Sequence, residues 1–120
     1  MTVILIVEDD AVTRRLLAHT LGKIGYHTIT VGSAQEGLDV LQQQTIDLMI
    51  CDIQMPKVSG IELLRQVRAD ARHTELPVIM LTASGESMYR KEALAAGADV
   101  FLTKPTSSHQ LRKTVNRLLN

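Results

Sequence analysis

Leu48-Met49-Ile50-Cys51-Asp52-Ile53-Gln54-Met55-Pro56 is the stretch that decides how this 120-residue chain folds. An apolar run leads straight into one carboxylate, and a Met-Pro bend closes the segment. A run this short, apolar throughout and followed by a turn signal, predicts a strand buried on both faces. Asp52 then stands where that strand leaves the core. In open parallel α/β sheets the carboxyl ends of the strands form the edge at which ligands bind. One carboxylate in such a place says little, so the residues that end the other apolar runs matter.

Val3 to Val7 is a second all-apolar run, and it ends in Glu8-Asp9-Asp10. Pro77 leads into a third, Val78-Ile79-Met80-Leu81, ending at Thr82 and Ala83. Val100-Phe101-Leu102 is a short last strand ending at Thr103-Lys104-Pro105. His27 to Val31 alternates instead, with Ile29 and Val31 on one side and Thr28 and Thr30 on the other. Alternation predicts a half-exposed edge strand.

Helical periodicity fills the gaps between these runs. From Ala11 the spacing turns Val12, Leu16, Leu17 and Leu21 inward and Arg14, Arg15 and His19 outward, with Gly22 and Gly25 closing the helix. Ser33 can cap the next helix, in which Ala34, Gly37, Leu38 and Leu41 share a face. A third is expected from about Ser59 to Arg72, burying Leu63, Leu64 and Val67. The segment 85–96 has the weakest helical pattern, and Gly97 stops it. Leu111, Val115, Leu118 and Leu119 form the stripe of a closing helix.

Five strands alternating with five helices predict a parallel sheet with right-handed crossovers and helices on both faces. The three wholly apolar strands belong in the middle and the alternating one at an edge. The fold class that follows is α/β, a flavodoxin-like (βα)5 doubly wound sheet of strand order 2-1-3-4-5. No linker or low-complexity segment interrupts it, so residues 1–120 read as one domain.

Composition narrows the function. Thirteen basic residues balance thirteen acidic ones, so no basic excess argues for nucleic acid. Two Tyr, one Phe and no Trp leave few platforms for stacking bases. The single cysteine, Cys51, cannot form an internal disulfide, which points to a reducing compartment. In a buried strand it reads as a small core hydrophobe. No apolar stretch approaches the roughly 18 residues of a membrane span. The amino end enters a strand at once without a basic leader region. A cytoplasmic domain without membrane contact is the expectation.

In a parallel sheet Glu8, Asp9, Asp10, Asp52, Thr82, Ser84 and Lys104 all fall on the carboxyl edge. Converging carboxylates repel one another unless a cation sits among them. Oxygen ligands without His or Cys suit a hard ion, Mg²⁺ or Mn²⁺. A lysine and a hydroxyl beside such an ion can bind the oxygens of an incoming phosphoryl group. An exposed carboxylate can be the nucleophile that receives it. Asp10 reads as the cap of the first helix. The four histidines, His19, His27, His73 and His109, are scattered and share no ligand spacing.

Four segments, in order and at matching spacing, make the chain resemble the response-regulator receiver domains (CheY-like) of two-component signalling. They are Ile4 to Asp10, Cys51 to Pro56, Pro77 to Ala83, and Gly97-Ala98-Asp99 through Lys104-Pro105. The resemblance implies that Asp52 is the phosphoacceptor, with Glu8, Asp9, Asp52 and the Gln54 backbone carbonyl holding Mg²⁺. It implies that Thr82 and Lys104 bind the phosphoryl group, that Phe101 is an aromatic switch, and that the Lys104–Pro105 bond is cis. From the residues alone Phe101 is equally a packed edge-strand aromatic. A histidine kinase or histidine phosphotransfer protein would be the donor. Phosphorylation would then alter the face of the fourth helix, fifth strand and fifth helix, toward an output partner, a C-terminal output domain or a homodimer. In this family the domain assists its own phosphorylation and dephosphorylation and is not otherwise an enzyme. This chain departs from the common Met-Asp-Gly after the proline, having Lys57-Val58-Ser59-Gly60, where Ser59 can cap the third helix as an aspartate would. Gln54 and Ser84 flank the path of hydrolytic water and are expected to set how long the phosphoryl group lasts.

Other classes fit less well. A haloacid dehalogenase-type phosphohydrolase would carry a second Asp at the position of Gln54. A flavodoxin-like cofactor site would need glycines and hydroxyls, not three acids, after the first strand. An interaction module that acts without phosphorylation is the remaining alternative, disfavoured by the complete set of Asp9, Asp52, Thr82 and Lys104.

Overall fold

The computed structural model describes residues 1–83 and 87–120. The elements are β1 (Val3–Val7), α1 (Ala11–Gly22), β2 (His27–Val31), α2 (Ala34–Gln43), β3 (Leu48–Asp52), α3 (Gly60–Ala69), a 3₁₀ turn (Ala71–His73), β4 (Val78–Thr82), α4 (Ser87–Ala95), β5 (Val100–Thr103) and α5 (Ser108–Leu119). The five strands form one parallel sheet in the order β2-β1-β3-β4-β5, as expected.

The two faces of the sheet explain why β1, β3 and β4 are apolar at every position. Leu5, Val7, Met49, Cys51, Val78 and Met80 point to one side, where Leu41 of α2, Leu63, Leu64 and Val67 of α3 and Ala93 of α4 cover them. Ile4, Ile6, Leu48, Ile50, Ile79 and Leu81 point to the other, under Leu17 and Leu21 of α1 and Leu111 and Val115 of α5. Strand side chains alternate between faces, so a strand covered on both sides must be hydrophobic throughout. β2, at the edge, is buried only at Val31.

Helix starts follow the capping residues. Ser33 accepts from the amide of Glu36, Ser59 from that of Glu62 and Ser107 from that of Gln110. Asp10 caps α1, accepting from Thr13 N at 2.9 Å and Thr13 Oγ1 at 2.6 Å, and those bonds hold its carboxyl below the usual range. Gly25 and Gly97 take left-handed φ of 97° and 110° where the chain turns after α1 and α4.

Three expectations are corrected. Val12 and Leu16 are each 62 % exposed instead of inward. Successive helical residues are turned by about 100°, so once Leu17 and Leu21 meet the sheet, Leu16 and Val12 rotate away from it. Arg14, expected to face outward, is half-buried and turned over the carboxyl edge. The third helix ends at Ala69, not Arg72. Asp70 leaves the helical conformation and caps the 3₁₀ turn, accepting from Arg72 N at 2.9 Å. The expected start of the fourth helix, Gly85, lies outside the described residues.

At the sheet's amino edge Arg68 ties three segments together. Its guanidinium donates to the carbonyls of Gly97 at 2.7 Å, His73 at 2.9 Å and Leu76 at 2.7 Å, and to Asp99 Oδ2 at 3.2 Å. Asp99 in turn accepts from Val78 N at 2.8 Å. Arg68→Met should lower stability by about 2 kcal/mol, because carbonyls left without a donor in a partly buried place are costly. Chemical denaturation checks this, and a change within error of zero would show that water replaces the guanidinium.

Candidate functional site

β1, β3, β4 and β5 all deliver polar groups to the carboxyl edge, and backbone pairing beyond the strand ends sets their relative heights. Ile53 N donates to Leu81 O at 2.8 Å and Lys104 N to Thr82 O at 2.7 Å. The main chains that follow β3 and β5 are thereby both fastened to β4. Glu8, Asp52 and Thr82 are buried, whereas Asp9 is exposed.

Carboxylate oxygens of Glu8, Asp9 and Asp52 come within 4.8 Å of one another. Lys104 reaches into the same place. Its Nζ stands 2.6 Å from Glu8 Oε1 and 3.4 Å from Asp52 Oδ2. Burial pushes Glu8 up to about 7; the Lys104 bond and the Asp10 amide oppose that shift, and the Asp52 charge adds to it. Burial pulls the Lys104 ammonium down, but its bond to Glu8 and the charges of Asp52 and Glu8 raise it overall. Two buried acids sharing one lysine are a site with an excess of negative charge. Hard oxygen donors, partly compensated and open on the Asp9 side, fit a divalent cation of the Mg²⁺ type.

The turn after β3 is built around a close approach. Gly60 N donates to Ile53 O at 2.9 Å, and a Cβ on Gly60 would lie 2.1 Å from the carbonyl oxygen of Asp52. Lys57 adopts a φ of 68° to bring the chain back for this contact. Gln54 N donates to Asp52 Oδ1 at 3.3 Å, so the main chain of Gln54 lies beside the Asp52 carboxylate. Its side chain is exposed.

The remaining expected residues are placed as follows. Ala83 is exposed, and with Leu16, Leu81, Lys104, Pro105 and Thr106 it lines a groove of about 490 Å³ between α1 and the segment after β5. The Lys104–Pro105 bond is cis. Phe101 is half-buried and packs against the core on the side of the sheet that α2, α3 and α4 cover, with the Arg90 guanidinium carbon 6.0 Å from its ring centroid. Cys51 is fully buried, and burial, then the charges of Asp52 and Glu8, push its thiol well above the ordinary value. It is a core residue, as its neighbours in sequence suggested. Ser84 lies outside the described residues.

The sequence reading missed two groups here. Helical periodicity points Arg14 to solvent, yet its Nη1 donates to Glu8 O at 2.7 Å. In the sequence Gly60 is only the residue after a capping serine. Its position eight residues past Asp52 gives no signal of contact; only the returning loop makes one. Among the described residues no helix is long and apolar enough to cross a membrane.

Comparison with known proteins agrees with this arrangement. The chain is 40 % identical over 116 residues to the phosphate regulon transcriptional regulatory protein PhoB of Rhizobium meliloti, covering 97 % of this chain and 51 % of that protein. It spans about half the length of the curated relatives it matches. A putative response regulator from Chloroflexus aurantiacus superposes with a TM-score of 0.95 at 31 % identity, covering 98 % of this chain and 97 % of the other. The receiver domain of the sensor histidine kinase PA1611 from Pseudomonas aeruginosa, solved with a magnesium ion coordinated in its active-site cleft, superposes with a TM-score of 0.91 at 27 % identity. That alignment covers 98 % of this chain and 97 % of that one. With residues 4–116 matching the family profile described as "Response regulator receiver domain", this chain belongs to the response-regulator receiver family of two-component systems.

Proposed function

We propose that this domain, residues 1–120, is a phosphoacceptor switch: it takes a phosphoryl group onto Asp52 from a histidine kinase or a histidine phosphotransfer protein. The observation that carries the reading is the convergence of Glu8, Asp9 and Asp52 around Lys104 at the end of a buried sheet. Glu8, Asp9, Asp52 and the Gln54 backbone carbonyl would hold Mg²⁺, with Mn²⁺ an acceptable substitute. When bound, the cation supplies positive charge that offsets the phosphoryl oxygens.

An Asp52 carboxylate oxygen attacks phosphorus, and the bond from phosphorus to the donor imidazole nitrogen breaks, the donor keeping that electron pair. Lys104, within reach of Asp52, neutralises charge on the transferring group. Thr82 bonds a phosphoryl oxygen, and Phe101 follows it inward. The face of α4, β5 and α5 changes, and with it the affinity for an output partner, an output domain or a second copy. The exposed Val12 and Leu16 offer apolar contact for the donor beside the cleft. A cytoplasmic location suits a donor of this kind.

The test is intact mass after incubation with acetyl phosphate and Mg²⁺. The expected result is one phosphoryl adduct on the wild type and none on Asp52→Asn. An unlabelled wild type, under conditions that load other receivers, sinks the reading. An equally labelled Asp52→Asn moves the acceptor to another residue.

A further inference from the structure

We infer that Arg14 is a positioning residue for the metal-binding carboxylates, acting through the main-chain carbonyl of Glu8 and touching neither cation nor phosphoryl group. The inference rests on the reading of Glu8, Asp9 and Asp52 as a divalent-cation site. Arg14 sits in the first turn of α1, where periodicity alone points it to solvent. Instead the guanidinium folds back across the β1–α1 connection, and Nη1 donates to Glu8 O at 2.7 Å. That carbonyl belongs to the Glu8–Asp9 peptide, whose six atoms are coplanar. Holding its oxygen therefore sets the direction in which Asp9 leaves the strand.

Two further bonds complete the hold on this short segment. Glu8 N donates to Val31 O at 3.1 Å, and Asp10 N donates to Glu8 Oε2 at 3.2 Å. The first ties the start of the segment to the end of β2. The second orients the Glu8 carboxylate. Arg14 supplies the bond to the carbonyl between the two acids.

Space for the guanidinium comes from Gly32, directly after β2. A Cβ there would stand 3.1 Å from Arg14 Nη1 and 3.8 Å from Glu36 Oε1. The structure thus links a glycine in one loop to an arginine in the next helix, and through it to the acids.

Charge and position predict opposite signs, which makes the inference testable. By Coulomb's law a guanidinium near the acids repels an incoming cation, so its removal should tighten Mg²⁺ binding. If Arg14 acts by holding the Glu8–Asp9 peptide, its removal should weaken binding, as the loss of outer partners does at metal sites. Titrating Mg²⁺ alone into the full chain by calorimetry, with thermal melts in parallel, separates the two. Arg14→Met is expected to raise the Mg²⁺ Kd roughly tenfold with little change in melting temperature. Arg14→Lys, which keeps a donor on a similar stem, should recover much of the loss. Gly32→Ala, which keeps the charge but crowds the guanidinium, should shift Kd in the same direction as Arg14→Met. An unchanged or tighter Kd in Arg14→Met, or no recovery in Arg14→Lys, overturns the inference while leaving the cation site standing. Should Arg14→Met fail to fold, an unchanged Kd in Gly32→Ala overturns it equally. A wild type that binds no Mg²⁺ removes the site reading and this inference together.

Discussion

Gly60→Ala should destabilise the domain by about 3 kcal/mol, the upper part of the range for overpacking a close contact. For a chain of this length that is a drop in melting temperature of roughly 10 °C. The added methyl carbon would lie 2.1 Å from the Asp52 carbonyl oxygen and 2.9 Å from the Ile53 Cα. Both are backbone atoms at the end of a buried strand, so neither can swing aside as a side chain would. The turn must open, and opening it weakens the bond from Gly60 N to Ile53 O. Asp52 carries the obstructed carbonyl, so acetyl phosphate loading should fall together with stability.

Gly22→Ala is the control. Nothing lies within 4 Å of the Cβ it would add, and the residue ends a helix. There the same substitution should be neutral or stabilise by up to about 1 kcal/mol, because alanine loses less backbone freedom on folding. The pair is measured by thermal melts under one set of conditions. A Gly60→Ala protein melting with the wild type would show that the turn relaxes at no cost and that the close approach is incidental.

Lys104→Met should cost about 2–3 kcal/mol in the metal-free protein. The ammonium lies 2.6 Å from Glu8 Oε1 and 3.4 Å from Asp52 Oδ2, and Glu8 is 1 % exposed. Removing one partner of a buried ion pair leaves the other charge uncompensated, which commonly costs about 3–5 kcal/mol. Two features keep the value at the low end. The lysine side chain is itself 20 % exposed. Glu8, already pushed up to about 7 by burial, can take up a proton and shed its charge. Adding Glu8→Gln to Lys104→Met should therefore recover most of the stability. Loading of Asp52 should not recover, because the lysine proposed to face the transferring group is still missing and Glu8→Gln also removes a proposed Mg²⁺ ligand; in Lys104→Met alone loading is expected to slow about a hundredfold. Equal stability of wild type and Lys104→Met by urea denaturation would show that the pair contributes nothing net. Loading restored in the double variant would deny Lys104 a role in transfer.

The strands were legible because the sheet is covered on both faces. Apolar runs at Val3–Val7, Leu48–Cys51 and Val78–Leu81 leave few other places to go, and the alternating His27–Val31 can only be an edge. The site was legible for a related reason. Parallel strands share one carboxyl edge, so the residue after each run is brought to its neighbours whatever the sequence separation. Glu8 and Lys104 are 96 positions apart and in contact.

Helix faces were read less well. Periodicity names a stripe but leaves its rotation open by about one residue, or 100°. Leu16 and Leu17 both suit an apolar stripe, and only the packing of Leu17 and Leu21 on the sheet assigns Leu16 to solvent. The same rotation brings Arg14 round to Glu8.

By itself, then, the sequence determined the strand order, the caps Asp10, Ser33 and Ser59, and the set of acids, hydroxyl and lysine at one edge. Those depend on local pattern and on topology, which is discrete. The tertiary structure alone decided that Lys104 bridges Glu8 and Asp52, that Arg14 holds the Glu8 carbonyl, and that Gly60 must lack a side chain. These are matters of a few ångströms between segments far apart in the chain, set by the close packing of helix and loop against the sheet. Burial of Glu8, and with it a carboxyl raised to about 7, belongs to that second class.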